Sequence, residues 1–259
     1  MKNSMLSPYF NKLVEKKRSL LDDLFTQERV SSVLDFGAGN GKSFSEYIYR
    51  NYPSVNLTIF DTSKESLSQI KWAADSVIVS DDWEKIKNKK YDLIIASEVI
   101  EHQNDPVIVM TTLRDCLSEN GILLITIPNG FGFTELCSFI KKYITQYLSI
   151  GPSGNDVFTL ADSPHLSFFS KDTFGKVIRD SGFKVIRKGN VVFSHFMLIR
   201  YLSDRWSVIL RLNFFFSNFM PSWSCDDWFY ILTKGAVYQT KTYKIGWFTK
   251  FRAKLNVKS

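Results

Sequence analysis

The run Val33-Leu34-Asp35-Phe36-Gly37-Ala38-Gly39-Asn40-Gly41 limits what this chain can fold into more than any other segment. Apolar residues lead directly into glycines at alternate positions, so a buried strand must end in a turn stripped of side chains. Glycine supplies positive φ at no steric cost, and a run of glycines lets a ligand lie against the backbone. Spacing excludes two common phosphate loops. A Walker loop needs four residues between its first glycine and Gly-Lys-Ser, whereas Gly37 and Gly41 enclose three. A dinucleotide fingerprint would need its third glycine at position 42, which is Lys42.

Around this turn, strand and helix patterns alternate. Residues 1–29 read as a helix with Leu13, Leu20, Leu21 and Phe25 at near-helical spacing between charges. Strands are predicted at 32–36, 57–61, 76–79, 91–96 and 121–127. Helices are predicted at 42–52, ended by Pro53, and at 64–72 and 107–117. A helix over 170–181 stops at Gly182, and strands follow at 183–192 and 228–232. Strands separated by helices imply a parallel sheet covered on both faces. Two stretches break the rhythm, 131–160 and 195–222. Both are apolar and aromatic on helical periods, and both are read as caps, the second as an amphipathic helical hairpin.

The polar residues at the predicted strand ends carry the chemistry. Asp61 ends the second strand, where a carboxylate can accept both hydroxyl protons of a ribose or, more simply, cap the helix that follows. Asp81 and Asp82 follow the third strand, where an acid can take the exocyclic amine of adenine. Tyr91 to His102, ending in Glu98-Val99-Ile100-Glu101-His102, closely resembles the fourth-strand segment of ubiquinone-biosynthesis-like methyltransferases. The Gly-x-Gly-x-Gly turn after Asp35 resembles the first motif of class I methyltransferases. Gly121 to Asn129 and Pro164 to Ser170 resemble later parts of the same family, so the likeness covers roughly residues 30–193.

What the resemblance implies is an α/β, Rossmann-like class I methyltransferase fold with a seven-stranded, mostly parallel sheet, an antiparallel last strand and helical cap insertions. It divides the chain into a lead-in at 1–29, a catalytic domain at 30–233 and a tail at 234–259. The implied cofactor is S-adenosylmethionine, held by Asp35, Gly37, Ala38, Gly39, Asn40, Gly41, Asp61, Thr62, Asp82, Trp83, Ser97 and Glu98, with Asp82 preferred to Asp81. Methyl transfer to a hydroxyl is helped by a base near neutral pKa, and histidine suits that task. Of His102, His165 and His195, the first two stand where an acceptor would meet the methyl group, although either can instead be structural. Glu98 and Glu101 can orient a histidine or, as a second option, hold a divalent metal. No metal is expected from the cysteine spacing.

Composition narrows the setting. Cys116, Cys137 and Cys225 are odd in number and widely separated, which opposes a disulfide scaffold and points to a reducing, cytoplasmic compartment. Charges interrupt the N-terminal apolar residues, so no export signal is expected. The net charge of +7 equals the seven Lys and Arg residues from position 234 onward, where no acid occurs. That tail, interleaved with aromatics, is either simply solvated or a contact for an anionic surface. Together with Phe131, Phe133, Phe139, Phe214, Phe215, Phe216 and Phe219, it favours an amphipathic or lipid-linked acceptor and peripheral contact with the inner membrane face. Rival readings are O-methylation of a soluble sugar or metabolite, and a catalytically silent binding protein of the same fold. A nucleic-acid substrate is disfavoured by the lack of an Asn-Pro-Pro-Tyr-like motif and of paired cysteines.

Overall fold

The computed structural model describes residues 8–74, 76–132, 134, 167–194 and 206–235. Its centre is a seven-stranded sheet in the order β3-β2-β1-β4-β5-β7-β6. The strands are β1 (Ser32–Phe36), β2 (Asn56–Phe60), β3 (Ile78–Ser80), β4 (Tyr91–Ser97), β5 (Leu117–Pro128), β6 (Phe183–Val192) and β7 (Asp227–Lys234). β1 to β5 pair in parallel, and β7 runs antiparallel to both β5 and β6. The expected reversed last strand is therefore present. The chain builds β1, β2 and β3 outward in one direction and then returns to add β4 on the other side of β1. This reversal opens a crevice at the carboxyl ends of β1 and β4, the usual place for a ligand in such sheets.

Among the described residues, six helices cover the sheet: α1 (Pro8–Gln27), α2 (Ser45–Asn51), α3 (Lys64–Ser68), α4 (Pro106–Cys116), α5 (Lys171–Asp180) and α6 (Ser207–Phe216). Alternate residues of the central strands point to opposite faces, as the pleat requires. Leu34, Ile94, Leu123 and Ile125 share a core with Met110 and Leu113 of α4 and Phe174 and Ile178 of α5. Val33, Leu93, Ile95 and Leu124 share the other with Leu13, Leu21 and Leu24 of α1, Ile48 of α2 and Phe214 of α6. Burial on both faces explains why these strands read as continuous apolar runs.

Local signals set several helix starts. Asp105 accepts a hydrogen bond from the Ile108 amide ahead of Pro106 in α4, and Ser170 and Thr173 form a reciprocal capping box on α5. Several boundaries differ from the sequence reading, and β5, for one, begins at Leu117 where 121 was expected. α2 begins at Ser45 because residues 42–44 are still turning out of the glycine loop. α3 ends at Ser68, well short of Trp72. β3 is only Ile78–Ser80, a short edge strand whose Ile78 and Val79 are exposed, so little burial extends it.

Helix α1 is fastened to the segment that carries the glycines. The Arg18 guanidinium donates to the carbonyls of Ser43 (2.9 Å) and Lys42 (2.6 Å). Asp22 accepts from the hydroxyls of Tyr47 (2.9 Å) and Tyr52 (2.7 Å) on and after α2. The cap expected at 131–160 lies almost wholly outside the described residues, as does the basic tail after residue 235. Of the cap at 195–222, residues 206–222 are described and contain α6. Among the described residues no helix is long and apolar enough to cross a membrane.

Candidate active site

Because β1 to β5 are parallel, their carboxyl ends gather the predicted polar residues along one edge of the sheet. The glycine loop turns there with φ of +57° at Gly39 and +75° at Gly37. It is tied to the neighbouring strand by the amides of Gly37 (2.8 Å) and Ala38 (3.1 Å), both donating to the Phe60 carbonyl. The two glycines do different work. A Cβ on Gly37 would sit 2.5 Å from Val99 Cγ2, so its missing side chain permits packing between the ends of β1 and β4. A Cβ on Gly39 would meet nothing within 4 Å. Gly39 thus bounds open space that a ligand can enter.

Asp61 closes that space from the end of β2. Its Oδ2 accepts from the Gly39 amide at 2.7 Å and its Oδ1 from the Ser63 amide at 2.8 Å. A carboxylate offers about four lone-pair sites, so each oxygen keeps one for a further donor. Two adjacent hydroxyls of a ribose match that provision. The simpler capping role is taken by Ser63, whose side chain accepts from the Ser66 amide to start α3. Beside Asp61, Thr62 is exposed, and Asn40 accepts from the Lys42 amide at 3.3 Å.

The Asp35 carboxylate faces α2. It is buried and accepts from the Ser45 hydroxyl at the start of α2. Burial, opposed by the Ser45 bonds and assisted by the Asp61 charge, pushes its pKa up to about 6. Here it braces the loop against α2, and Ser45 is a partner that the sequence reading did not anticipate.

Past β3, Asp82 caps a short 3-10 turn over Trp83–Lys85 by accepting from the Glu84 amide at 3.0 Å, while Asp81 pairs with Lys64 at 3.2 Å. Trp83 stands edge-on to Phe36 and Phe60, with ring centroids 5.5 and 5.3 Å away. This aromatic group is flanked by Asp61 on one side and Asp82 on the other in the chain.

At the end of β4, Glu98 has φ of +56°, the one positive value outside glycine among the described residues. Left-handed backbone is costly for a residue with a Cβ and persists only where surroundings impose it. The imposing contacts are visible. The Glu98 amide donates to the Thr126 carbonyl at 2.9 Å, and its carboxylate accepts from the Thr126 hydroxyl at 2.7 Å. Lys17 of α1 reaches the same carboxylate at 3.1 Å, and the Ser97 hydroxyl lies 2.7 Å from that of Thr126. Burial opposes the charge on Lys17 more than any other effect, yet Glu98, Asp227 and Glu101 together outweigh it and raise its pKa. Lys17 was not foreseen as a site residue. Its signal was a cation on the apolar face of α1, between Leu13 and Leu20.

His102 closes a 3-10 turn over Ile100–His102 and keeps about a third of its side chain exposed, with Nε2 3.8 Å from Glu101 Oε1. Glu101 is fully buried, and neither of its oxygens has a hydrogen-bond partner. His165 and His195 lie outside the described residues, although the Ser167 amide donates to the Glu101 carbonyl at 2.9 Å. Among the described residues no group of three or more His, Cys, Asp or Glu side chains is placed to hold a metal ion.

Burial first and the Glu98 charge second push the Glu101 carboxyl from its ordinary 4.5 up to about 9. A folded-state pKa above the unfolded one gives stability that is whole below the unfolded value and is lost as pH rises through the folded value. Stability is therefore expected to fall between about pH 4.5 and pH 9. Glu101→Gln, which keeps the shape without the ionisation, should remove most of that slope in urea unfolding across this range. An unchanged slope in the variant would contradict the assignment.

A family model described as a methyltransferase domain matches residues 9–188. The chain belongs to that family. It is 23% identical over 138 residues to the ubiquinone biosynthesis O-methyltransferase of Dinoroseobacter shibae, covering 52% of this chain and 49% of that one. It is 28% identical over 133 residues to the malonyl-[acyl-carrier protein] O-methyltransferase of Halalkalibacterium halodurans, covering 48% and 46%. The chain thus spans about half the length of these two curated relatives. Among solved structures, the plantazolicin methyltransferase BpumL, in complex with a monoazolic desmethylPZN analog and SAH, superposes with a TM-score of 0.54 at 19% identity. That match covers 88% of this chain and 85% of BpumL. The fold is the Rossmann-like class I methyltransferase fold.

Proposed function

We propose that this chain is an enzyme that transfers the methyl group of S-adenosylmethionine to an oxygen of an amphipathic or lipid-linked acceptor. The observation that carries the cofactor is the pairing of open space at Gly39 with an Asp61 carboxylate that keeps one acceptor position on each oxygen. Asp61 would hold the ribose hydroxyls, the backbone of residues 37–41 would lie along the amino-acid portion, and Asp82 with Trp83 would border the adenine. Ser97 and Glu98 would form the wall on the β4 side. Bound there, the cofactor supplies an electrophilic methyl group.

The protein's own work is to orient the acceptor and exclude water, which can contribute several kcal/mol, up to about 7–11 in well-aligned cases. His102 and His165 are the proposed bases for the acceptor's hydroxyl proton, and the Glu101 carboxyl lies 3.8 Å from His102 Nε2. Oxygen as the methylated atom is supported by the names of the two curated relatives, both O-methyltransferases. An amphipathic acceptor is supported by the exposure of Phe131, Phe215, Phe216 and Phe219.

Calorimetry with S-adenosylmethionine tests the cofactor. Asp61→Ala should weaken binding by about 1–3 kcal/mol through loss of the charge-assisted bonds. Heat of binding for a nicotinamide dinucleotide or a nucleoside triphosphate, with none for S-adenosylmethionine, would overturn the reading. Host extracts incubated with enzyme and cofactor should yield a lipid-soluble product heavier by one methyl group.

A further inference from the structure

Helix α6 presents an apolar face outward. Val208, Leu212 and Phe215 follow helical spacing on one side, and Phe219 continues that line beyond the helix end. Their exposures run from 44% at Leu212 to 71% at Phe219. Trp206 and Trp223, at 55% and 71%, stand at the two ends of the stretch. Phe215 and Phe219 lie with ring centroids 4.8 Å apart, so the patch is continuous.

This exposure is fixed by bonds on the opposite side of the helix. The buried Asn213 amide bonds the Ser194 backbone in both directions, at 3.0 and 2.9 Å. Asn190 of β6 donates to the carbonyls of Ser217 (2.8 Å) and Met220 (3.0 Å), and the Trp228 indole donates to that of Ser222 (2.6 Å). Phe214 fills the core. α6 therefore cannot roll to hide its aromatic side without abandoning these polar contacts.

We infer that this face docks the protein on the surface of an anionic phospholipid bilayer. The charge pattern selects that occupant. Across residues 206–224 the one charged side chain is Arg211, exposed on α6 next to the stripe, and none of these residues is acidic. At its margin, the Lys16 ammonium donates to Ser217 Oγ (2.7 Å) and Asn218 Oδ1 (3.0 Å). The chain as a whole carries +7. Rings that enter the headgroup boundary, with cations beside them to meet lipid phosphates, are the physical requirements of an interfacial helix. Indoles at both ends suit the same boundary, since each has an apolar body and one polar N–H. The inference goes beyond the methyl-transfer reading, and either can fail without the other.

Co-sedimentation of the full chain with phosphatidylcholine vesicles, with and without phosphatidylglycerol, tests it. Stronger partitioning onto the phosphatidylglycerol vesicles is expected, and Phe215→Ser/Phe219→Ser should lose about tenfold or more of it. Both rings are exposed, so the variant should keep the parent's thermal midpoint and its affinity for S-adenosylmethionine in calorimetry. Equal partitioning of parent and variant, or none by the parent, overturns the inference. So does concentration-dependent self-association of the parent that the same substitutions abolish, because a second copy would then cover the face. Loss of cofactor binding in the parent, with vesicle binding intact, would overturn only the enzymatic reading.

Discussion

Replacing Gly39 with valine should leave the chain folded and reduce its affinity for S-adenosylmethionine by about a hundredfold or more. At φ of +57° a β-branched residue is strained, and the loop must shift to relieve it. The new methyl groups would also project into the space that Gly39 now leaves open. Gly37→Ala is the instructive control, because its Cβ would strike Val99 at 2.5 Å and disturb the packing of β1 against the β4 end. The Gly37 variant should lose thermal stability along with binding, whereas the Gly39 variant should lose mainly binding. Calorimetry paired with thermal unfolding separates them. Full affinity in Gly39→Val would mean that the ligand lies elsewhere.

Lys17→Met is expected to destabilise the fold by about 2–3 kcal/mol, below the usual range for breaking a buried ion pair because Glu98 is partly open to solvent. The lysine stands among three acidic side chains, those of Glu98, Glu101 and Asp227. Removing it leaves Glu98 with Thr126 as its side-chain hydrogen-bond partner and takes away a contact that holds its left-handed backbone. Combining Lys17→Met with Glu98→Gln should recover part of the loss, since the second change removes the charge that the first leaves unpaired. Urea unfolding at neutral pH measures both effects. An additive double variant would show that the two groups do not interact.

How far the chain could be read before folding depended on how local each signal was. The glycine turn, Asp61 at a strand end and the stop of α5 ahead of Gly182 act within a few positions of themselves, and all are where the sequence analysis expected them. The reversed β7 was inferred from family likeness, not from pattern, since nothing in Trp228 to Leu232 states its direction. β3 was misplaced by two residues at its start because an exposed edge strand carries little hydrophobic periodicity. Contacts between distant segments stayed hidden. Lys17 meets Glu98 across 81 positions, and its charge on the apolar side of α1 was a clue that such a partner exists, without naming it. Asp35 was read as a ligand neighbour, yet its carboxylate turns to Ser45, a choice made by the packing of α2 beneath the loop.

The reversal of β7 has a consequence for how the molecule is completed. Running against its neighbours, it brings its first residue, Asp227, opposite Pro128 at the carboxyl end of β5. There it joins the field acting on Lys17 and Glu101. Residues from the first helix and the seventh strand thus meet at one spot, and as the polypeptide is synthesised the acid arrives long after its lysine counterpart. Until that late segment threads between β5 and β6, the nascent domain carries a cation awaiting part of its counter-charge, and the edge built for chemistry cannot reach its working electrostatics.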